Sequence, residues 1–137
     1  MINRNINIEI IEHMFKDSKK VIGQDLVEKR LADLTRGKFD YIYLKRSAEG
    51  KSDEFEKINA AYILSYNESI RIHDCTIYDI NLYYTDRNKF VVDYLIRFDE
   101  APQKSFATFE IFSDFTELNN NYPELAKAVR LRLLKEE

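Results

Sequence analysis

Residues 76–99, TIYDINLYYTDRNKFVVDYLIRFD, decide how this chain folds. Thr76, Tyr78, Ile80, Leu82 and Tyr84 alternate with Ile77, Asp79, Asn81 and Tyr83. Further on, Phe90, Val92, Tyr94, Ile96 and Phe98 alternate with Val91, Asp93, Leu95, Arg97 and Asp99. A period of two is the mark of a strand with one face in the core. Asp86-Arg87-Asn88 between the two runs is a turn-forming cluster, so the stretch reads as an antiparallel hairpin. Burial sets its register. Pairing Tyr84 with Phe90, Leu82 with Val92, Ile80 with Tyr94 and Tyr78 with Ile96 gathers the apolar sets on one face. The other face then sets Asn81 opposite Asp93, with Asp79 and Arg97 close by. A one-residue slip would put Leu82 against Asp93, which rules it out.

On the C-terminal side, Ala101-Pro102-Gln103 is a turn and Ser105 to Phe112 a third strand. Phe106, Phe109, Ile111 and Phe112 load both of its faces, so the pattern leaves its register open. Asn119-Asn120-Asn121-Tyr122-Pro123 reads as the entrance to a last helix, with Pro123 where a missing N–H is tolerated. Leu125, Val129, Arg132 and Leu133 make its stripe.

On the N-terminal side, Ile6 to Phe15 fits a strand in its first half. Ile6, Ile10 and Met14, with Ile11 and Phe15 beside them, favour a helix. Gln24 to Arg36 is a second helix, striped by Val27, Leu31 and Leu34 and stopped by Gly37. Phe39 to Leu44 is either a short strand or an extended connector. Asp53 with Glu56 three residues on resembles a capping box, which predicts a third helix with Phe55, Ile58, Tyr62 and Tyr66 on its buried face. It ends near Asn67-Glu68-Ser69. The expected fold is one α+β domain over 1–137: N-terminal helices, a three-to-four-stranded antiparallel meander and a C-terminal helix.

Composition agrees. Nine Tyr and nine Phe in 137 residues supply rings for a packed core, and three Gly and two Pro leave little for long linkers. The single cysteine, Cys75, cannot form an internal disulfide, and its simplest role is a small buried filler. The N-terminus lacks the apolar run of a signal peptide, and no stretch nears the roughly 20 apolar residues of a membrane span. A reducing cytoplasm is the expected location. With 21 basic and 24 acidic residues and only short clusters such as Lys19-Lys20 and Lys45-Arg46, no basic stripe invites nucleic acid.

Candidate chemistry is sparse. Glu9 and His13 share a helix face, and His73 and Cys75 one side of an extended segment, but together they fall short of a zinc site. No nucleophile elbow, P-loop or dinucleotide fingerprint occurs, so no enzyme and no cofactor or metal is expected. Asp79 and Asp93 could serve as a desolvated acid pair only if a helix covered their face. The more distinctive asset is tyrosine. Tyr41, Tyr43, Tyr78, Tyr83, Tyr84 and Tyr94 all lie on β-type segments, and tyrosine gives interfaces large area at small entropic cost.

The order helix, helix, extended piece, helix, meander over residues 6 to 112 resembles that of nuclear-transport-factor-2-like domains. That resemblance implies a small-ligand pocket or a dimerising scaffold, the pocket lined by Phe55, Tyr62, Ile80 and Tyr94. In size, mild acidity and lack of catalytic motifs the chain also resembles bacterial toxin-immunity proteins. This second resemblance implies an inhibitor that covers a basic toxin surface through Asp79, Asn81, Tyr83, Asp93, Arg97 and Asp99.

Overall fold

The computed structural model describes residues 24–48 and 50–135. Helix α1 (Gln24–Thr35) buries Val27 and Leu31 and ends as the sequence predicts. Thr35 turns its hydroxyl back to the Leu31 carbonyl at 2.7 Å, and Gly37 takes the left-handed φ of 71° that glycine reaches without strain. The expected helix at Ile6–Phe15, with Glu9 and His13, lies outside the described residues.

Six antiparallel strands follow: β1 (Asp40–Arg46), β2 (Glu54–Tyr66), β3 (Ile70–Ile72), β4 (Cys75–Thr85), β5 (Phe90–Phe98) and β6 (Phe106–Phe112). Their order is β1-β2-β4-β5-β6, with the short β3 also paired to β4. The sheet curls until its ends nearly meet. Ser47 N–H donates to the Ala107 carbonyl, the Ser47 hydroxyl accepts from Ala107 N–H, and the Arg46 guanidinium reaches the Phe109 carbonyl at 3.3 Å. Two helices close the chain, α2 (Phe115–Asn121) and α3 (Pro123–Lys135). The fold is α+β, as expected, but with six strands where three or four were predicted.

The main correction concerns residues 54–66, which form the longest strand and not a helix. Its first half, Glu54–Ala60, pairs with β1 and its second half, Ala60–Tyr66, pairs with β4, so a ladder runs along its whole length. Its apolar residues fit either period, and its β-branched and aromatic content lets tertiary pairing prevail over the capping-box signal. Phe55 and Tyr62, expected on a buried helix face, are 66% and 56% exposed. The likeness in element order to the transport-factor domains therefore fails at its third helix. Residues 39–44 resolve as strand for all but Phe39.

The hairpin holds the predicted register near its turn: Tyr84 opposes Phe90, Leu82 opposes Val92 and Asn81 opposes Asp93. Beyond Asn81 the register shifts, so Tyr78 opposes Leu95 and Ile77 opposes Ile96. The two expected pairs Ile80–Tyr94 and Tyr78–Ile96 do not form. The cause is a bulge at Asp79, whose φ of 52° is one that aspartate tolerates better than most side chains. One extra residue flips the alternation. Ile77, not Tyr78, therefore joins Ile80, Leu82 and Tyr84 in the core.

That core lies between the sheet's outer face and the helices, uniting Val27 and Leu31, Ile63, Leu82, Tyr84, Phe90 and Val92 with Leu118, Leu125 and Val129. An acid at its edge is clasped: Glu110 Oε2 accepts from Tyr94 at 2.9 Å and Tyr122 at 2.5 Å. Asn119–Asn121, read as a helix entrance, are the last turn of α2. Asp114 caps that helix by accepting from Glu117 N–H, and Pro123 opens α3 as predicted. The sheet's other face carries a second cluster, Leu44, Val91 and Phe109, with Ile42, Ile58 and Tyr83 against it. These residues come from β1, β2, β4, β5 and β6. Residues from both ends of the sheet can share one cluster only inside the curl. Among the described residues no helix is long and apolar enough to cross a membrane.

Candidate functional site

The inner face is where the sequence-predicted site residues gather. Asn81 on β4 sits opposite Asp93 on β5, one step from Tyr83 and Val91. The Asn81 carbonyl oxygen accepts from Ser65 Oγ at 2.8 Å, and that hydroxyl shares a 2.6 Å hydrogen bond with the Tyr62 hydroxyl. The Asn81 amide donates back to the Asp79 carbonyl at 3.2 Å, tying the bulge to the inner face. Tyr62 meets Tyr83 edge-on, with ring centres 5.9 Å apart. A chain of small polar groups thus runs from Tyr62 through Ser65 to Asn81, flanked by two rings.

Asp93 is half-buried, and its Oδ1 has no hydrogen-bond partner among the described residues. Burial raises its pKa above the ordinary carboxylate value, while hydrogen bonding from Asn81 pulls it part of the way down. Burial, then the neighbouring Asp93, then Tyr62 push the Tyr83 hydroxyl up to about 12, so it stays a protonated donor at neutral pH.

Beside this group, where β2 gives way to the turn before β3, lies a cleft of 560 Å³. Ser65, Tyr66, Glu68, Tyr78, Asp79 and Asn81 are among its lining residues, and no Lys or Arg is. The Tyr66 hydroxyl donates to Glu68 at 3.3 Å, and burial followed by the Glu68 charge raises its pKa. The bulge makes the cleft. It turns Asp79 outward at a point where regular alternation would have continued the ladder.

The remaining predicted residues lie apart. Arg97 is exposed, its guanidinium 5.4 Å from the Tyr78 ring centre. Asp99 forms a two-pronged ion pair with Arg71 of β3, which holds its carboxyl below the usual range. Of the six residues, Asp79 and Asn81 line the cleft, Tyr83 and Asp93 adjoin it on the inner face, Arg97 stands further along β5 and Asp99 just past its end.

Known proteins offer no guide. No protein family, no curated protein and no solved structure matches the chain.

The cleft residues that sequence reasoning missed come from the end of β2 and the turn after it: Ser65, Tyr66 and Glu68. A helix reading scattered them. The signal that could have found them is charge, because residues 58–66, INAAYILSY, contain no charged side chain. A helix with one solvated face rarely goes nine residues without one. The pocket expected from Phe55, Tyr62, Ile80 and Tyr94 does not assemble. Ile80 and Tyr94 belong to the main core, Tyr62 to the inner face and Phe55 to the open outer surface. There Phe55 shares a face with Tyr41 and Tyr43, and Lys57 sits 4.2 Å above the Tyr41 ring.

Cys75 is buried and donates to the Ile72 carbonyl at 3.1 Å; desolvation raises its pKa, which suits packing better than nucleophilic attack. His73 is exposed in the tight turn between β3 and β4, at φ 49°. Among the described residues no three His, Cys, Asp or Glu side chains come together as a metal site would require.

Proposed function

We propose that this chain is a protein-binding inhibitor of the toxin-neutralising kind, which seats a basic surface of its partner on the cleft beside Asp79. The observation that carries this reading is the lining: two carboxylates, Glu68 and Asp79, four tyrosine or asparagine side chains, Tyr66, Asn67, Tyr78 and Asn81, and no cation. Tyrosine supplies contact area, and carboxylates steer a basic partner and set its orientation. Inhibition would be steric, by covering whatever anionic substrate site the partner's basic surface serves.

The charges available for docking are fewer than the sequence implied. Asp99 is already matched by Arg71, and Asp93 is partly withdrawn from solvent. Asp79 and Glu68 carry the anionic character instead. A binding role also fits the chemistry on hand, since Cys75 is buried and His73 lies outside the cleft.

The test is affinity capture with the whole chain as bait, beside a Glu68→Lys, Asp79→Lys double variant that melts at the same temperature. A basic protein retained by the native chain should be lost at least tenfold by the double variant. Its retention should also weaken as salt rises, because exposed charges are screened over about 10 Å at 0.1 M. Equal retention by both baits would refute the charge-led docking.

A further inference from the structure

We infer that the mouth of the curled sheet beside the β4–β5 turn is a second binding site, for a small molecule that joins an anionic group to a flat apolar body. A cleft of 590 Å³ opens there. That is a size typical of small-ligand sites, which in curled sheets favour the barrel mouth. Two of its lining residues, Ile58 and Ile111, belong to the inner side of the curl: Ile58 packs on the inner cluster, and Ile111 lies two residues along β6 from Phe109. Ile111 is 38% exposed, so the apolar interior reaches open space at this point.

Three cations, Lys57, Arg87 and Lys89, line the same cleft. Lys57 belongs to β2 and is steadied over the Tyr41 ring, whereas Arg87 and Lys89 come from the turn. That turn is rigid. Thr85 Oγ1 accepts from both the Arg87 and Lys89 N–H groups, and Asn88 takes the left-handed φ of 62°. Two carboxylates, Glu56 and Asp86, also border the cleft, and Asp86 already accepts from the Asn59 amide at 3.1 Å. The balance is therefore one positive charge, set around an aliphatic floor. A simple inorganic anion would leave that floor unused, and a neutral hydrocarbon would leave the cations unused. An amphipathic anion satisfies both. The inference stands apart from the toxin-neutralising reading, because no residue of the anionic cleft takes part.

The experiment uses the full chain, isotopically labelled at isoleucine methyls, titrated with 8-anilinonaphthalene-1-sulfonate. Parallel titrations use its uncharged counterpart N-phenyl-1-naphthylamine and inorganic phosphate. Saturable shifts confined to Ile58 and Ile111 are expected with the sulfonate, with at least tenfold weaker binding of either control. Arg87→Glu with Lys89→Glu should weaken the sulfonate at least tenfold. Ile111→Thr, which keeps a β-branched residue in the strand, should weaken it severalfold and guards against loss of fold in the charge variant. Shifts spread through the main core would overturn the proposal. So would sulfonate affinity unchanged in both variants, or phosphate binding as tightly as the sulfonate.

Discussion

The two sides of the β4–β5 hairpin obey different rules. On the outer side Leu82, Tyr84, Phe90 and Val92 are fully buried beneath the helices, and the acid Glu110 is held by two tyrosine hydroxyls. On the inner side Asn81 and Tyr83 are half-buried, and Asp93 keeps a buried oxygen with no partner among the described residues. A buried acceptor without a donor costs stability. The outer side holds Glu110 with two donors, whereas the inner side accepts a cost at Asp93 next to a cleft. That contrast is one reason we place the proposed docking surface beside the inner side.

The contrast is broken most forcefully at Leu82. Leu82→Ala removes a side chain with no exposure and should cost about 2–5 kcal/mol. Asn81→Ala, one residue away and on the inner side, should cost about 1 kcal/mol for its lost hydrogen bonds. Urea unfolding of the two variants compares the sides directly, and equal losses would erase the distinction. Glu110→Ala comes next. It strands the Tyr94 and Tyr122 hydroxyls at the seam between sheet and helices, for an expected loss of about 2 kcal/mol. Burial leads the causes that push the Tyr94 hydroxyl up to about 12, so ultraviolet titration should find it still protonated where free tyrosine has ionised. An unaltered melting curve in Glu110→Ala would show that the clasp contributes nothing.

The bulge sharpens the comparison further. Asp79→Val places a β-branched residue at φ 52° and should cost about 1–2 kcal/mol, whereas Asp79→Gly should leave stability nearly unchanged. If valine were tolerated as well as glycine, the left-handed bulge would not be the native conformation.

The hairpin's turn-proximal register, the α1 stripe and its Gly37 stop, and Pro123 at the head of α3 were all legible in the sequence, because each rests on local periodicity or backbone chemistry. The bulge was not. One extra residue in an otherwise regular alternation leaves no local mark when Asp79 suits both a polar strand face and a left-handed bend. β2 was misread because Asp53 and Glu56 imitate a helix start, while the pairings that make it a strand are to residues of β1 and β4, beyond the reach of local periodicity. The cleft depended on both features, so the pattern could supply Asp79 and Asn81 but not Glu68, Ser65 or Tyr66.

The smallest expected effect has the opposite sign. Burial raises the pKa of Asp93, so the folded chain binds its proton more tightly than the unfolded chain does. Below the ordinary Asp value of 3.8 both states are protonated and the site costs nothing. As pH rises through the raised folded value, the native state must give up a proton it prefers to keep, and stability falls. Asp93→Asn keeps the shape, removes the charge and leaves a side chain that still can bond to Asn81. It should therefore raise the melting temperature at pH 7, and the gain should shrink toward nothing as the pH is lowered to 3.8. Thermal melts of both proteins across that range measure the difference. A variant less stable than the native chain at pH 7 would mean that the Asp93 charge has a partner supporting it, and the contrast with the clasped Glu110 would disappear.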